Sequence, residues 1–200
     1  MTKAALSLVA VLITAVPPAS SAGEDPEVVI LTELGEIRLT VFTSRAPITA
    51  ANFLRYVDAG LYDGSTFHRT VRLDNQPNDA VRIEVIQGGS LEEAKCFPAI
   101  EHEPTAVTGL RHERGAVSMA RSAPGSATSS FFICVSDQPE LDYGGRRNPD
   151  GQGFAAFGQV VSGLEVVERI HLSPSRGQQL EPPVRIISVR RAAVNREAKR

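Results

Sequence analysis

The sequence predicts a mainly β protein, a sandwich or a barrel whose open ends are plugged by helices. Three observations carry this. About eight short runs are apolar or alternate apolar with polar residues at the period of a half-buried strand. Gly, Pro, Asn and Asp separate these runs, as tight turns require. Helical spacing of apolar residues occurs at only two points, and helices that sparse suit barrel ends better than a covering layer.

The elements follow in order. Residues 1–22 stand outside the fold: Lys3, then the apolar run Ala4 to Val16, then small residues ending at Ala22. That is the pattern of a cleaved secretory signal peptide, and the run is too short to span a bilayer comfortably. Cleavage is expected, with no membrane association afterwards and a periplasmic location. "VVILT" (Val28 to Thr32) and "EIRLTVF" (Glu36 to Phe42) form a hairpin through Gly35. Ala50, Phe53, Leu54, Val57 and Leu61 then make one apolar stripe of a helix, with Pro47 in its first turn and Gly60 at its end. Strand runs return at "TFHRTV", "VRIEVIQGG", "GAVSMA", "SSFFICV" and "FAAFGQVV". A second helix is expected over Leu164 to His171 and a last strand over Val184 to Arg190. One domain spans 23–190, and 191–200 is a short basic tail that reads as solvated. Two stretches lack periodicity, Gly89 to Gly115 and Leu141 to Gly153, and loops of that length are usually functional or mobile.

Composition excludes several chemistries. The formal charge of the 200-residue chain is −2, which leaves no electrostatic footprint for nucleic acid. Cys96 and Cys134 fit no zinc spacing; both are expected as free thiols, Cys134 buried on a strand and Cys96 in a loop. His102 and His112 stand in an irregular loop without metal-motif spacing and are expected to be solvated. No nucleophile elbow accompanies the serines, and no phosphate loop, dinucleotide fingerprint or haem motif occurs. What remains is binding, or a reaction that needs only positioning and electrostatics; no cofactor is expected.

One stretch demands an explanation. In "STFHRTV" Arg69 follows an aromatic residue and a histidine on a strand whose other face is core. A guanidinium is always charged and prefers water. Arg69 therefore sits at a rim as a solvated charge, or it points into a cleft.

Six short motifs occur in one order: "FHR" (Phe67 to Arg69), "QGG" (Gln87 to Gly89), "SMA" (Ser118 to Ala120), "FFI" (Phe131 to Ile133), "LD" (Leu141, Asp142) and "FGQV" (Phe157 to Val160). Together they resemble the cyclophilin family of peptidyl-prolyl cis–trans isomerases, over the chain from Val28 to the last strand. The resemblance implies a closed antiparallel eight-stranded β-barrel capped by two α-helices. It implies an isomerase, expected as a monomer, acting on proline-containing peptides and unfolded exported proteins. Arg69 would donate to the prolyl nitrogen, and Gln87 would hold Arg69 or the substrate carbonyl. Phe132, Leu141 and Phe154 would line the proline pocket, and the backbone of Ala120 and Arg121 would pair with an extended peptide. His68, Val85 and Ser130 complete the expected substrate-binding set.

The chain departs from the family at several of these places. The interval Thr70 to Ile86 is longer than usual, with "DNQPND" resembling a hairpin insertion. Glu84 stands where a pocket Phe is usual, Ser130 where Gln precedes "FFI", Arg121 where Asn follows "SMA", Glu140 where Trp precedes "LD", and Phe154 where the pocket has His. Glu84, Ser130 and Glu140 support an alternative of a different class, a catalytically weak peptide-binding module or holdase.

Overall fold

The computed structural model describes residues 25–193. The expected signal segment lies outside the described residues. Nine strands form one sheet: β1 (Glu27–Thr32), β2 (Gly35–Val41), β3 (Thr66–Val71), β4 (Val85–Gly88), β5 (Ala116–Met119), β6 (Phe131–Cys134), β7 (Ala155–Ser162), β8 (Ser175–Arg176) and β9 (Gln179–Arg191). Their order is β1-β2-β7-β5-β6-β4-β3-β9, and β9 pairs back onto β1. Eight strands thus close a barrel in which every pair is antiparallel, and closure leaves no open edge. β8 is a two-residue ribbon paired only with β9.

Among the described residues three α-helices are present rather than the two expected: α1 (Pro47–Asp58), α2 (Thr105–Thr108) and α3 (Leu164–His171). α2 is a single turn, too short to leave a periodic signature. α1 starts at Pro47 and buries the anticipated stripe, Ala50, Phe53, Leu54 and Val57. Phe53 packs against Phe131 and Phe157 of the barrel interior. α3 packs on β2, β3 and β4 through its buried Val166, Val167 and Ile170. The last strand reaches Arg191, whose guanidinium pairs with Asp58 of α1, so the sheet extends one residue into the basic segment.

Two apolar clusters divide the two faces of the wall. The interior holds Ile30, Leu39, Phe67, Ile86, Phe131 and Ile133 among others. The outer cluster is small: Val71, Ile83, Val85, Ala116, Phe132, Cys134 and Leu141, with Phe154 against it. Cys134 is buried there, Cys96 lies half-buried in the 89–115 loop, and both thiols are free. Burial pushes the Cys134 thiol well above its ordinary pKa, so it stays protonated and inert.

The "QGG" motif has a packing reason. A Cβ on Gly88 would stand 2.7 Å from the Phe67 ring, and one on Gly89 2.6 Å from the Phe131 ring. Gly89 also takes φ +68°, a left-handed conformation that side chains disfavour. Both glycines let the aromatic interior close under the strand that carries Gln87.

Candidate active site

Strict alternation along β3 would place Phe67, Arg69 and Val71 on one face, with Arg69 in the barrel interior. A β-bulge prevents this. Phe67 opposes Gly88 and Arg69 opposes Gln87, so His68 is the extra residue, and the β3–β9 ladder shifts at the same point. A bulge re-aims the side chains that follow it. Phe67 stays inside, while Arg69 and Val71 turn to the outer cluster. Of the two positions open to Arg69 from sequence, the cleft is the one found.

Arg69 is held by two neutral side chains. Its Nη1 donates to Gln87 Oε1 at 2.9 Å, and its Nε and Nη2 both donate to Gln178 Oε1. Gln87 is fixed in turn, because its Nε2 donates to Ser130 Oγ at 3.0 Å. Gln178 Nε2 reaches Asn75 O, and the Asn75 amide donates to Thr70 O and Gly177 O. The guanidinium is therefore fixed in place with no carboxylate against it among the described residues. Burial, and then the neighbouring Arg147, push its pKa below the ordinary arginine value, but arginine remains a cation in proteins.

Arg69 and Gln87 face a pocket of about 230 Å³. Val85, Phe132, Leu141 and Phe154 supply its apolar walls, and Ala120 and Arg121 border it. The Phe132 and Phe154 rings meet edge to face at 5.3 Å. Ala120 N–H is occupied by Ser130 O. Ala120 C=O and Arg121 N–H have no hydrogen-bond partner among the described residues. The Arg121 side chain does not reach into solvent. Its guanidinium lies 5.2 Å from the Phe154 ring centroid, donates to Gly153 O, and grips Asp150 with two bonds of 2.8 and 2.9 Å.

Several expectations need correction. His68 is the bulge residue and does not line the pocket; burial and then Arg69 lower its pKa. Ser130 lies behind Gln87 as its anchor rather than in the pocket wall. Glu84 and Glu140 are not pocket residues either. Glu84 accepts from Ser136 Oγ at 2.8 Å, and Glu140 pairs with Arg146 at the surface. The apolar position falls to Ile83. The run "IEVIQ" contained that signal, since Ile83, Val85 and Gln87 alternate onto one face. The 72–84 extension adds no strand pairing. It is an irregular loop pinned by buried Gln76, whose amide bonds Arg72 O, Ile83 O and Ile83 N.

His112 is the largest correction. It is 1% exposed, not solvated. Its ring stacks on Phe132 at 5.8 Å and lies edge-on to Phe154 at 6.5 Å. Nδ1 meets Asp142 Oδ1 at 2.7 Å, and Nε2 meets Ser118 Oγ at 2.9 Å. The carboxylate can only accept, so Nδ1–H donates to it, and in the neutral ring Nε2 accepts from the serine hydroxyl. Ser–His–Asp geometry is thus present, but Ser118 is fully buried and no carbonyl can reach it. The chain acts as a backing for the pocket. No motif spacing announced it, because its members lie on β5 and in two separate loops. Gln178, Arg147 and Asn148 also escaped sequence reasoning; all three sit in turns whose composition reads as solvated loop.

The family model for cyclophilin type peptidyl-prolyl cis-trans isomerases matches residues 27–191. A peptidyl-prolyl cis-trans isomerase A from Dickeya dadantii is 38% identical over 163 residues, covering 79% of this chain and 77% of that protein. An isomerase B from Escherichia coli is 37% identical over 143 residues, covering 70% of this chain and 80% of that protein. A cyclophilin type isomerase of Cryptosporidium parvum, crystallised in the presence of the dipeptide Ala-Pro, superposes with a TM-score of 0.66. It shares 23% identity and covers 84% of this chain and 99% of its own, a likeness of fold.

Proposed function

The chain belongs to the cyclophilin-type peptidyl-prolyl cis–trans isomerases, and from that membership we propose how its own residues carry out the reaction. Rotation about a peptide bond is opposed by a resonance barrier of ~18–20 kcal/mol. Both isomers of an X-Pro bond are populated, yet they exchange over tens to hundreds of seconds. Resonance needs the prolyl nitrogen lone pair. As the bond twists, that nitrogen pyramidalises and becomes an acceptor. A cation that donates to it stabilises the twisted state more than the planar one, which is differential binding of the transition state.

Arg69 is the donor. The observation that carries this is its setting: a guanidinium fixed by Gln87 and Gln178, without a neutralising carboxylate, beside an apolar pocket. Preorganisation means that little reorganisation is left for the moment of rotation. Val85, Phe132, Leu141 and Phe154 receive the proline ring, and Ala120 C=O with Arg121 N–H align the peptide. The reaction needs no covalent step.

The sequence of residues 1–22 supports export, and the clients are then unfolded or loop X-Pro bonds of exported proteins, served by a monomer in the periplasm. The test of activity is the isomerisation rate on a panel of X-Pro peptides. No rate above background for any of them overturns the assignment of Arg69. Cell fractionation of the full chain tests export, and retention in the cytoplasm overturns that part alone.

A further inference from the structure

The pocket carries a charge pattern that the isomerisation step does not use. Arg147, in the 143–153 loop, lines the pocket together with Arg69. Its Nη1 donates to Val81 O at 2.6 Å and pairs with Asp79 Oδ2 at 3.1 Å. Asp79 and Val81 belong to the extended 72–84 loop, so that loop and the 143–153 loop clasp each other beside the proline site. The Nε and Nη2 donors of Arg147 have no protein partner among the described residues, although the side chain is only 16% exposed. Neither donor is sealed in the interior, because Asn52 Oδ1 is the one fully buried side-chain polar atom without a partner among the described residues; donors open to solvent in a pocket wall are a place for an acceptor that arrives with the ligand.

Charge is unbalanced at the same place. Arg121 is neutralised by its two-bond grip on Asp150. Arg147 has a single contact to Asp79, and Arg69 has only glutamines. Three guanidiniums meet two carboxylates, an excess of one positive charge. Glu84 and Glu140 leave it uncompensated, because their carboxylates are engaged away from the pocket. A pocket with low-dielectric walls strengthens such an imbalance.

We propose that Arg147 is a specificity-determining residue. With Arg69 it makes the site favour peptides that carry a carboxylate on a residue flanking the proline over peptides that carry an ammonium there. This rests on the reading of the pocket as the proline site.

The experiment uses one host peptide with Glu or Lys placed next to proline, first on one side and then on the other. Binding is read by titration and turnover by the isomerisation rate, in the parent protein and in Arg147→Gln and Asp79→Asn. For at least one flank the parent is expected to prefer Glu by about tenfold at low salt, the order expected of one partly screened charge, and the preference should shrink as salt is added. Arg147→Gln keeps a donor for Val81 O but removes the charge, so the Glu-to-Lys ratio should fall towards one. Asp79→Asn removes the neutralising carboxylate, so the ratio should rise. A role confined to clasping the loops would move both variants the same way, which overturns the proposal. So does a parent ratio of one or less on both flanks. A charge preference in binding without turnover supports this proposal and removes the isomerase mechanism instead.

Discussion

Arg69 and Gln87 are directly opposed in the β3–β4 ladder, and the Nη1 of one donates to the Oε1 of the other at 2.9 Å. The bulge at His68 creates this pairing. Without the extra residue the guanidinium would be driven among the rings of Phe67 and Phe131. With it, a cation stands on the outer face of a barrel wall, in contact with an apolar pocket.

Arg69→Ala should remove catalysis while the domain stays folded. Losing one well-placed donor costs about 10²–10³ in rate. Arg69 contributes no core packing, so the loss of stability should stay within about 1 kcal/mol. Substrate affinity should change less than turnover, because the apolar walls remain. Arg69→Lys should rescue only in part, since an ammonium lacks the planar fork that Gln87 and Gln178 grip together. A folded alanine variant, judged by its thermal melt, that isomerises at the parent rate removes Arg69 from the mechanism.

Gln178 should matter nearly as much, although it touches no substrate. It accepts two of the three hydrogen bonds that fix Arg69. Gln178→Ala leaves the guanidinium hinged on Gln87 alone, and misplacement of a catalytic group by about 1 Å costs up to about 10² in rate. The expected result is a lower kcat with little change in KM. Steady-state kinetics decide it, and an unchanged kcat would assign the positioning to Gln87 alone.

The parts of the fold that sequence revealed are those with a period. The β1–β2 hairpin, the stripe of α1 and the strands of the barrel all follow from alternation or helical spacing and from the turns between them. The single turn of α2 and the ribbon β8 are too short to have a period. Within the site, Arg69, Gln87 and Phe132 each stand on a strand run that can be read by itself, and it was the resemblance that put them together. The site was illegible where side chains met across loops. Gln178 reaches Arg69 across 109 positions of sequence, and Arg147 reaches Val81 across 66. The bulge was hidden as well, because "FHRTV" reads equally well as an unbroken alternation. His112 shows the same limit: a histidine with no partner at motif spacing reads as solvated, yet Asp142 and Phe132 come to it in space.

The Ser118–His112–Asp142 chain should be inert as a nucleophile. Ser118 Oγ is at hydrogen-bond distance from His112 Nε2, but its residue has no exposed surface. A fluorophosphonate that labels activated serines should leave the mass of the folded protein unchanged at neutral pH. An adduct on Ser118 would show that the pocket backing opens. Removing the ring should be costly. His112→Ala leaves a cavity under Phe132 and strips a partner from Asp142, changes that together cost about 2–5 kcal/mol. Chemical denaturation measures that loss.

Acid should act on the pocket through Asp150. Its bonds from Arg121, and then from Gln152 N–H, hold its carboxyl down at about 2, against an ordinary aspartate value of about 3.9. A carboxyl depressed by folding stabilises the native state fully above the unfolded value, and the contribution is lost as pH falls through the folded one. The Arg121–Asp150 pair should therefore contribute a constant amount above about pH 5, decline below about pH 4, and be lost fully only below about pH 2. Asp150→Asn keeps an acceptor for Gln152 N–H but has no charge to lose. The difference in unfolding free energy between parent and variant should then be flat at neutral pH and close as pH drops towards 2. Function should follow the same contact. Arg121 covers the Phe154 ring and ties Gly153, so releasing Asp150 loosens one pocket wall, and KM should rise more than kcat falls. A difference in stability that stays constant down to pH 2 would mean that the pair does not hold the wall.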